Sequence, residues 1–181
     1  GLRECVDPEK IGESRYKTFS PSRIKTGLLE HTLMIQKCRI YLENKNNCYG
    51  WIPTRMIPGQ NEKKSSPNRW PMYPDGIIKV PREDSRSGMT IALEVELSRK
   101  TPSRYVDIIK KHVTNIKKLR YEYVYYLCPD KKKTNSLEAL FNKLIDDRKI
   151  YLVYSDDVSK PALLELTKKR FRFKSIDKMK F

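Results

Sequence analysis

The chain lacks what a sulfur-based scaffold needs. Its four cysteines, Cys5, Cys38, Cys48 and Cys128, are spread along the sequence with no Cys-x-x-Cys pair, which argues against a zinc module or a disulfide framework and fits a reducing cytoplasm. Histidine is scarcer still. His31 and His112 alone cannot form the cluster that a metal-dependent tyrosine nucleophile of relaxase type would require. No apolar run approaches the roughly 18 residues of a spanning helix, and no lysine-then-apolar leader opens the chain, so a soluble, unexported protein with no membrane span is expected. The start at Gly1-Leu2 without methionine suggests an expression remnant or a fragment excised from something longer. Acidic residues are also short, 22 Asp+Glu against 38 Lys+Arg. The resulting net charge of +16 favours a polyanionic partner, nucleic acid first and an anionic membrane surface second. There are no internal repeats and no evident motif for reading base edges.

What is present argues for one folded domain. A chain of 181 residues with 38% hydrophobic residues, eleven Tyr and five Phe can bury a sizeable core. Residues 1–20 show no sustained periodicity and read as a loose N-terminal arm. From Ser22 to Asn44, Ile24, Leu28, Leu29, Leu33, Ile35, Cys38, Ile40 and Leu42 recur at helical spacing, with Ser20 or Ser22 as cap; this should be the longest helix. Strands are expected at Cys48 to Ile52 and Pro74 to Val80, with a polar loop from Pro53 to Asn68 between them. A charged turn, Pro81 to Gly88, leads to a strand from Met89 to Ser98, and the last two strands should pair as a hairpin.

Thr101-Pro102 opens a helix whose apolar face is Tyr105, Ile108, Ile109, Val113 and Ile116. The run Tyr121 to Cys128 reads as a central strand. Pro129 to Asn135 reads as a loop, Ser136 to Arg148 as a helix and Lys149 to Tyr154 as a further strand. Residues 160–181 form a basic C-terminal segment, helix or hairpin, packed on or extending from the 21–159 domain. The order predicts an α/β fold with a central mixed sheet flanked by helices, and a right-handed crossover if the strands around the Pro102 helix are parallel.

The most informative feature is an acidic pair inside an apolar strand. Alternation in Met89 to Leu97 puts Ile91, Leu93, Val95 and Leu97 on one face and Thr90, Ala92, Glu94 and Glu96 on the other. Two like charges held together need compensation by metal, lysine or water. If the pair faces solvent at a strand edge, Arg82, Arg86 or Arg99 would neutralise it, each pair contributing about 0–1 kcal/mol. Pro74-Asp75-Gly76 is by itself a turn, and its spacing to the acidic pair is what lifts it.

Together these motifs resemble the Pro-Asp…(Asp/Glu)-x-Lys signature of the PD-(D/E)xK nuclease-like superfamily. More narrowly, Leu29-Glu30-His31-Thr32-Leu33, Trp51, Pro74-Asp75-Gly76, Leu93-Glu94-Val95-Glu96, Thr101 and the Lys110-Lys111 helix leading to Tyr121 resemble the replication-relaxation family of plasmid and mobile-element proteins. The resemblance covers residues 28 to about 128. It implies a restriction-endonuclease-like core and a role in replication control or conjugative transfer. It further implies Asp75, Glu94 and the Val95 carbonyl as ligands of Mg²⁺ or Mn²⁺, which would polarise a phosphoryl oxygen and activate water.

Glu96 stands where the signature lysine is expected. Some superfamily nucleases use Glu there, and in others the lysine arrives from the next helix, so Lys100, Lys110 and Lys111 are its candidates. The catalytic set is then Asp75, Glu94, Glu96 and Lys110. The primary expectation is a DNA-binding protein that does not cleave; the alternatives are a Mg²⁺-dependent endonuclease and a module that recruits a relaxase or replication initiator. Three basic clusters are the candidate phosphate contacts: Lys117-Lys118-Arg120, Lys131-Lys132-Lys133, and Lys168-Lys169-Arg170 with Arg172 and Lys174. His31 and His112 are expected in core or capping roles. Trp51, Trp70 and Tyr73 offer stacking surfaces or core packing, and Tyr123, Tyr125 and Tyr126 a buried strand.

Overall fold

The structure, a computed structural model, describes residues 26–59, 63, 65–82, 85–153 and 157–178. The expected N-terminal arm and the Ser20-Pro21 helix opening lie outside these residues. The fold is α/β. Helix α1 spans Thr26–Asn46, and the strands β1 (Tyr49–Pro53), β2 (Gly76–Arg82) and β3 (Ser85–Val95) follow. Helix α2 (Pro102–Lys117) leads to β4 (Tyr123–Cys128), α3 (Lys131–Asp147), α4 (Lys160–Lys168) and β5 (Phe171–Ser175). The five strands form one sheet in sequence order, antiparallel from β1 to β3 and parallel from β3 to β5.

Alternation along β3 builds two cores. Ile91, Leu93 and Val95 join Ile78, Leu127 and Ile176 beneath α1, through Cys38 and Leu42. Ala92, Val124, Tyr126 and Phe171 face the other way, against Tyr105, Ile109 and Val113 of α2 and Leu137, Phe141 and Ile145 of α3. Helix α2 begins as its sequence indicates, with the Thr101 side chain accepting from the Arg104 amide and Pro102 at the first helical position, where its missing N–H costs nothing.

Helix α1 is the longest of the described helices, as expected; along it Leu28, Leu29, Leu33 and Ile40 are exposed, while Cys38 and Leu42 are buried. Two expectations are corrected. Lys131-Lys132-Lys133 lies in the first turn of α3, not in a loop, because the Asp130 carboxylate caps that turn by accepting from the Lys133 amide at 2.7 Å. The strand expected from Lys149 to Tyr154 is not formed by residues 149–153; Tyr154 lies outside the described residues. Ile150 and Leu152 are buried, but the Leu152 amide donates to Thr167 Oγ1 at 2.8 Å, while Phe171–Ser175 takes the place beside β4. The C-terminal segment thus supplies a strand of the sheet. No helix among the described residues is long and apolar enough to cross a membrane.

A close approach sets the β1–β2 end of the sheet. A Cβ at Gly76 would run into the ring of Trp51. The Thr54 hydroxyl lies 2.7 Å from the Pro74 carbonyl oxygen and 2.8 Å from that of Asp75, pinning the chain just before β2. Gly76→Ala is therefore expected to cost about 1–3 kcal/mol by overpacking. In urea denaturation, pairing it with Trp51→Leu should recover part of that loss. Simple additivity of the two substitutions would contradict the contact.

Candidate functional site

The β2–β3 register decides which acids meet. Gly76 pairs with Leu93 and Ile77 with Ala92, so one step further places Asp75 opposite Glu94. Asp75 Oδ2 accepts from the Val95 amide at 2.8 Å, anchoring its carboxylate at the end of the sheet. From α1, His31 Nε2 lies 2.9 Å from the Val95 carbonyl oxygen and 3.4 Å from Asp75 Oδ2. A hydrogen bond to Asp75 raises the His31 pKa above its ordinary value, and the Val95 carbonyl adds to this. The imidazole of His31 thus addresses two of the three ligands expected for a metal. Glu30, its neighbour, is exposed.

Glu94 and Glu96 do not face solvent, because β3 is the middle strand and α2 and α3 cover that face. Only 17% of the Glu94 side chain and 8% of the Glu96 side chain is exposed. The expected arginine partners are engaged elsewhere: Arg82 pairs with Glu122 at 3.3 Å, and Arg99 donates to Ser136 Oγ at 3.0 Å. The side chain of Arg86 lies outside the described residues. Glu96 instead pairs with Lys100, four residues on. The Lys100 amide donates to the hydroxyl of buried Tyr105 at 3.1 Å, which turns the short link before α2 back over the strand. Lys110 and Lys111 are exposed on α2, so the lysine brought to the acids is Lys100 and not Lys110.

Glu94 Oε1 is buried and has no hydrogen-bond partner among the described residues. Burial raises the Glu94 pKa well above its ordinary value, and the neighbouring Asp75 charge raises it further. His112 Nε2 is 3.5 Å away, too far for a hydrogen bond. Nor do the two form an ion pair, since complete burial lowers the His112 pKa to about 3 and leaves the ring neutral.

A polar chain holds that ring. Asn115 Nδ2 donates to the Met72 carbonyl oxygen at 3.1 Å and to the Tyr121 hydroxyl oxygen at 2.9 Å. The Tyr121 proton then goes to His112 Nδ1, 2.6 Å away, which assigns the neutral ring's own proton to Nε2, facing Tyr126 and Glu94. Arg120 donates to Asn115 Oδ1 at 3.0 Å and stacks over Trp70, itself stacked on Tyr73. His112 is buried in the core, one of the roles expected of it, whereas Asn115 was not singled out in the sequence; its signal is its place three residues after His112 on the buried stripe of α2.

The donor set is all oxygen, and the unpartnered Glu94 Oε1 beside Asp75 fits a hard divalent cation. Two carboxylates and a carbonyl suit Mg²⁺, which keeps several of its waters. Among the described residues, no group of three or more His, Cys, Asp and Glu side chains forms a ready-made cage.

The basic clusters divide. Lys117, Lys118, Lys131, Lys132, Lys133 and Lys169 are exposed. Arg120 serves the Asn115 chain, Lys168 pairs with Asp146 and Glu165, and Arg170 and Arg172 lie over Tyr123. Lys174 lies over Tyr41. Tyr126 is buried as expected, whereas Tyr123 and Tyr125 are half-buried. No family model matches the chain, and neither does any curated protein or solved structure.

Burial of Glu94 has a thermodynamic consequence. Above its ordinary value of 4.5 the unfolded chain loses a proton that the fold retains, so the stability of the metal-free protein falls as pH rises toward the raised native value. Glu94→Gln should relieve about 1–3 kcal/mol in EDTA at mildly alkaline pH. The expected gain in Tm is roughly 2–4 °C per kcal/mol, shrinking toward about pH 4. A lower Tm for the variant at alkaline pH would mean that an ionised Glu94 is well solvated.

Proposed function

We propose that the chain acts on DNA through a metal-dependent nuclease-type site formed by Asp75, Glu94, Glu96 and Lys100. The observation that carries this reading is the pairing of the Lys100 ammonium with Glu96, two residues from Glu94, whose Oε1 has no partner among the described residues. It supports a lysine displaced along the chain from the signature position. The order of one helix, three antiparallel strands, a helix and a parallel strand also supports the nuclease-like core that the motifs resemble. The resemblance to replication-relaxation proteins points the activity toward plasmid or mobile-element replication or transfer.

In this reading Mg²⁺ or Mn²⁺, held by Asp75, Glu94 and the Val95 carbonyl, would supply charge neutralisation at phosphorus and a more acidic water. Glu94 would hold that cation as a carboxylate. Lys100, oriented by Glu96, stabilises negative charge developing on the phosphoryl oxygens. The exposed lysines on α3 and at the end of α2 hold flanking phosphates, supplying position without base specificity.

A second reading, DNA binding without cleavage, draws on His31. Its Nε2 proton lies against the Val95 carbonyl and close to Asp75, satisfying those ligands without a metal. Nicking of supercoiled plasmid separates the two. The cleavage reading expects nicks with Mg²⁺ or Mn²⁺, lost in Asp75→Ala and Glu94→Ala and reduced about 10²–10³-fold in Lys100→Ala. Intact plasmid in a sample that binds DNA with steep salt dependence would favour binding alone. Nicking that persists in both acid variants would remove the site.

A further inference from the structure

A cavity of about 570 Å³ opens at the C-terminal ends of the parallel strands β3 and β4. That size lies within the range of small-ligand pockets, and crevices at the ends of parallel strands are common ligand sites. Its wall is mainly apolar, from Leu97, Cys128 and Leu137. Its rim carries three exposed cations, Arg99, Lys132 and Lys133, against one acid, Asp130, whose carboxylate is engaged by the Lys133 amide. The two lysines sit in the first turn of α3, where the helix dipole disfavours cations and the Asp130 side chain already caps an amide. An anion over these side chains would offset that cost.

The floor gives the cavity its meaning. Glu96 lines it, neutralised by Lys100, so the cavity and the acid site share a wall. A ligand filling it has a largely apolar body, an anionic head and continuity with a group at Asp75 and Glu94. A nucleotide, with its base, phosphate and chain continuation, meets all three. A base pair within its stack does not fit a side cavity of this size, and a paired base enters such a pocket only after extrusion, which costs a few kcal/mol that a single strand largely avoids.

We propose that this cavity receives the base of an unpaired nucleotide, with its phosphate on Arg99, Lys132 and Lys133. The substrate of the acid site is then DNA with single-stranded character beside the reacting phosphate, not a continuous duplex. The assignment of a reacting phosphate rests on the nuclease reading above, whereas binding of a nucleotide in the cavity can be measured without it.

The test uses the full chain in EDTA, with deoxyadenosine 5′-monophosphate, deoxyadenosine and inorganic phosphate as probes in isothermal titration calorimetry. The mononucleotide should bind about tenfold or more tightly than either deoxyadenosine or phosphate. The surface variant Arg99→Ala/Lys132→Ala/Lys133→Ala should lose about tenfold or more, and Leu137→Trp, which fills the cavity, should lose binding while its circular dichroism stays native. A single-stranded oligonucleotide should outcompete a blunt duplex of equal length. Equal binding of phosphate and mononucleotide, an unaffected surface variant, or a duplex that binds as tightly as the single strand would overturn the proposal. If Leu137→Trp fails to fold, the surface variant and the probe series still decide. Mononucleotide binding that survives in Asp75→Ala while wild-type protein leaves plasmid uncut would keep the cavity assignment and end the cleavage reading.

Discussion

The site depends on one unmet demand, the carboxyl of Glu94 held inside the protein with an oxygen that nothing donates to. A buried polar atom without a partner is costly, and a second carboxylate nearby makes ionisation more costly still. Register supplies that second group, because the β2–β3 pairing brings Asp75 opposite Glu94. Helix α2 adds a neutral imidazole that approaches the acid without satisfying it. A fold selected for stability alone would place an apolar residue here, since the neighbouring core positions Ala92 and Tyr126 are well packed. The mismatch makes sense if a cation completes the site.

The arrangement around Glu94 distributes rigidity unequally. On the α2 side, the chain Arg120–Asn115–Tyr121–His112 is continuous and largely buried, and it reaches the Trp70 segment through the Met72 carbonyl. On the α1 side, His31 is partly exposed and contacts the site through a single nitrogen.

Local signals were legible in the sequence, and partners across space were not. Thr101-Pro102 carries its own capping chemistry, and the alternation of β3 sorts its residues between two cores, so both were readable. The acidic pair was found by pattern, yet its compensation by metal, lysine or water stayed open because alternation does not say that α2 and α3 cover the Glu face. Lysine choice failed for a similar reason: Lys110 shares a helix with buried residues, but its own face is solvent, whereas Lys100 returns to Glu96 through a link fixed by Tyr105. The run Ile150 to Val153 has strand composition but does not pair with the sheet, where Phe171–Ser175 takes the place beside β4. Basic residues were counted as phosphate contacts where Arg120 and Lys168 are engaged within the fold, Arg120 with Asn115 and Lys168 with Asp146.

If the proposed site is right, the Glu94 carboxyl is protonated in the metal-free protein and would ionise when a divalent cation binds beside Asp75. Carboxyl ¹³C NMR of selectively labelled protein at neutral pH, followed through a Mg²⁺ titration, tests it directly. The account predicts a protonated Glu94 signal in the metal-free protein that moves to the ionised position as Mg²⁺ is added, with a proton released to the buffer. A Glu94 signal already ionised without metal, or one that stays protonated at saturating Mg²⁺, would contradict it.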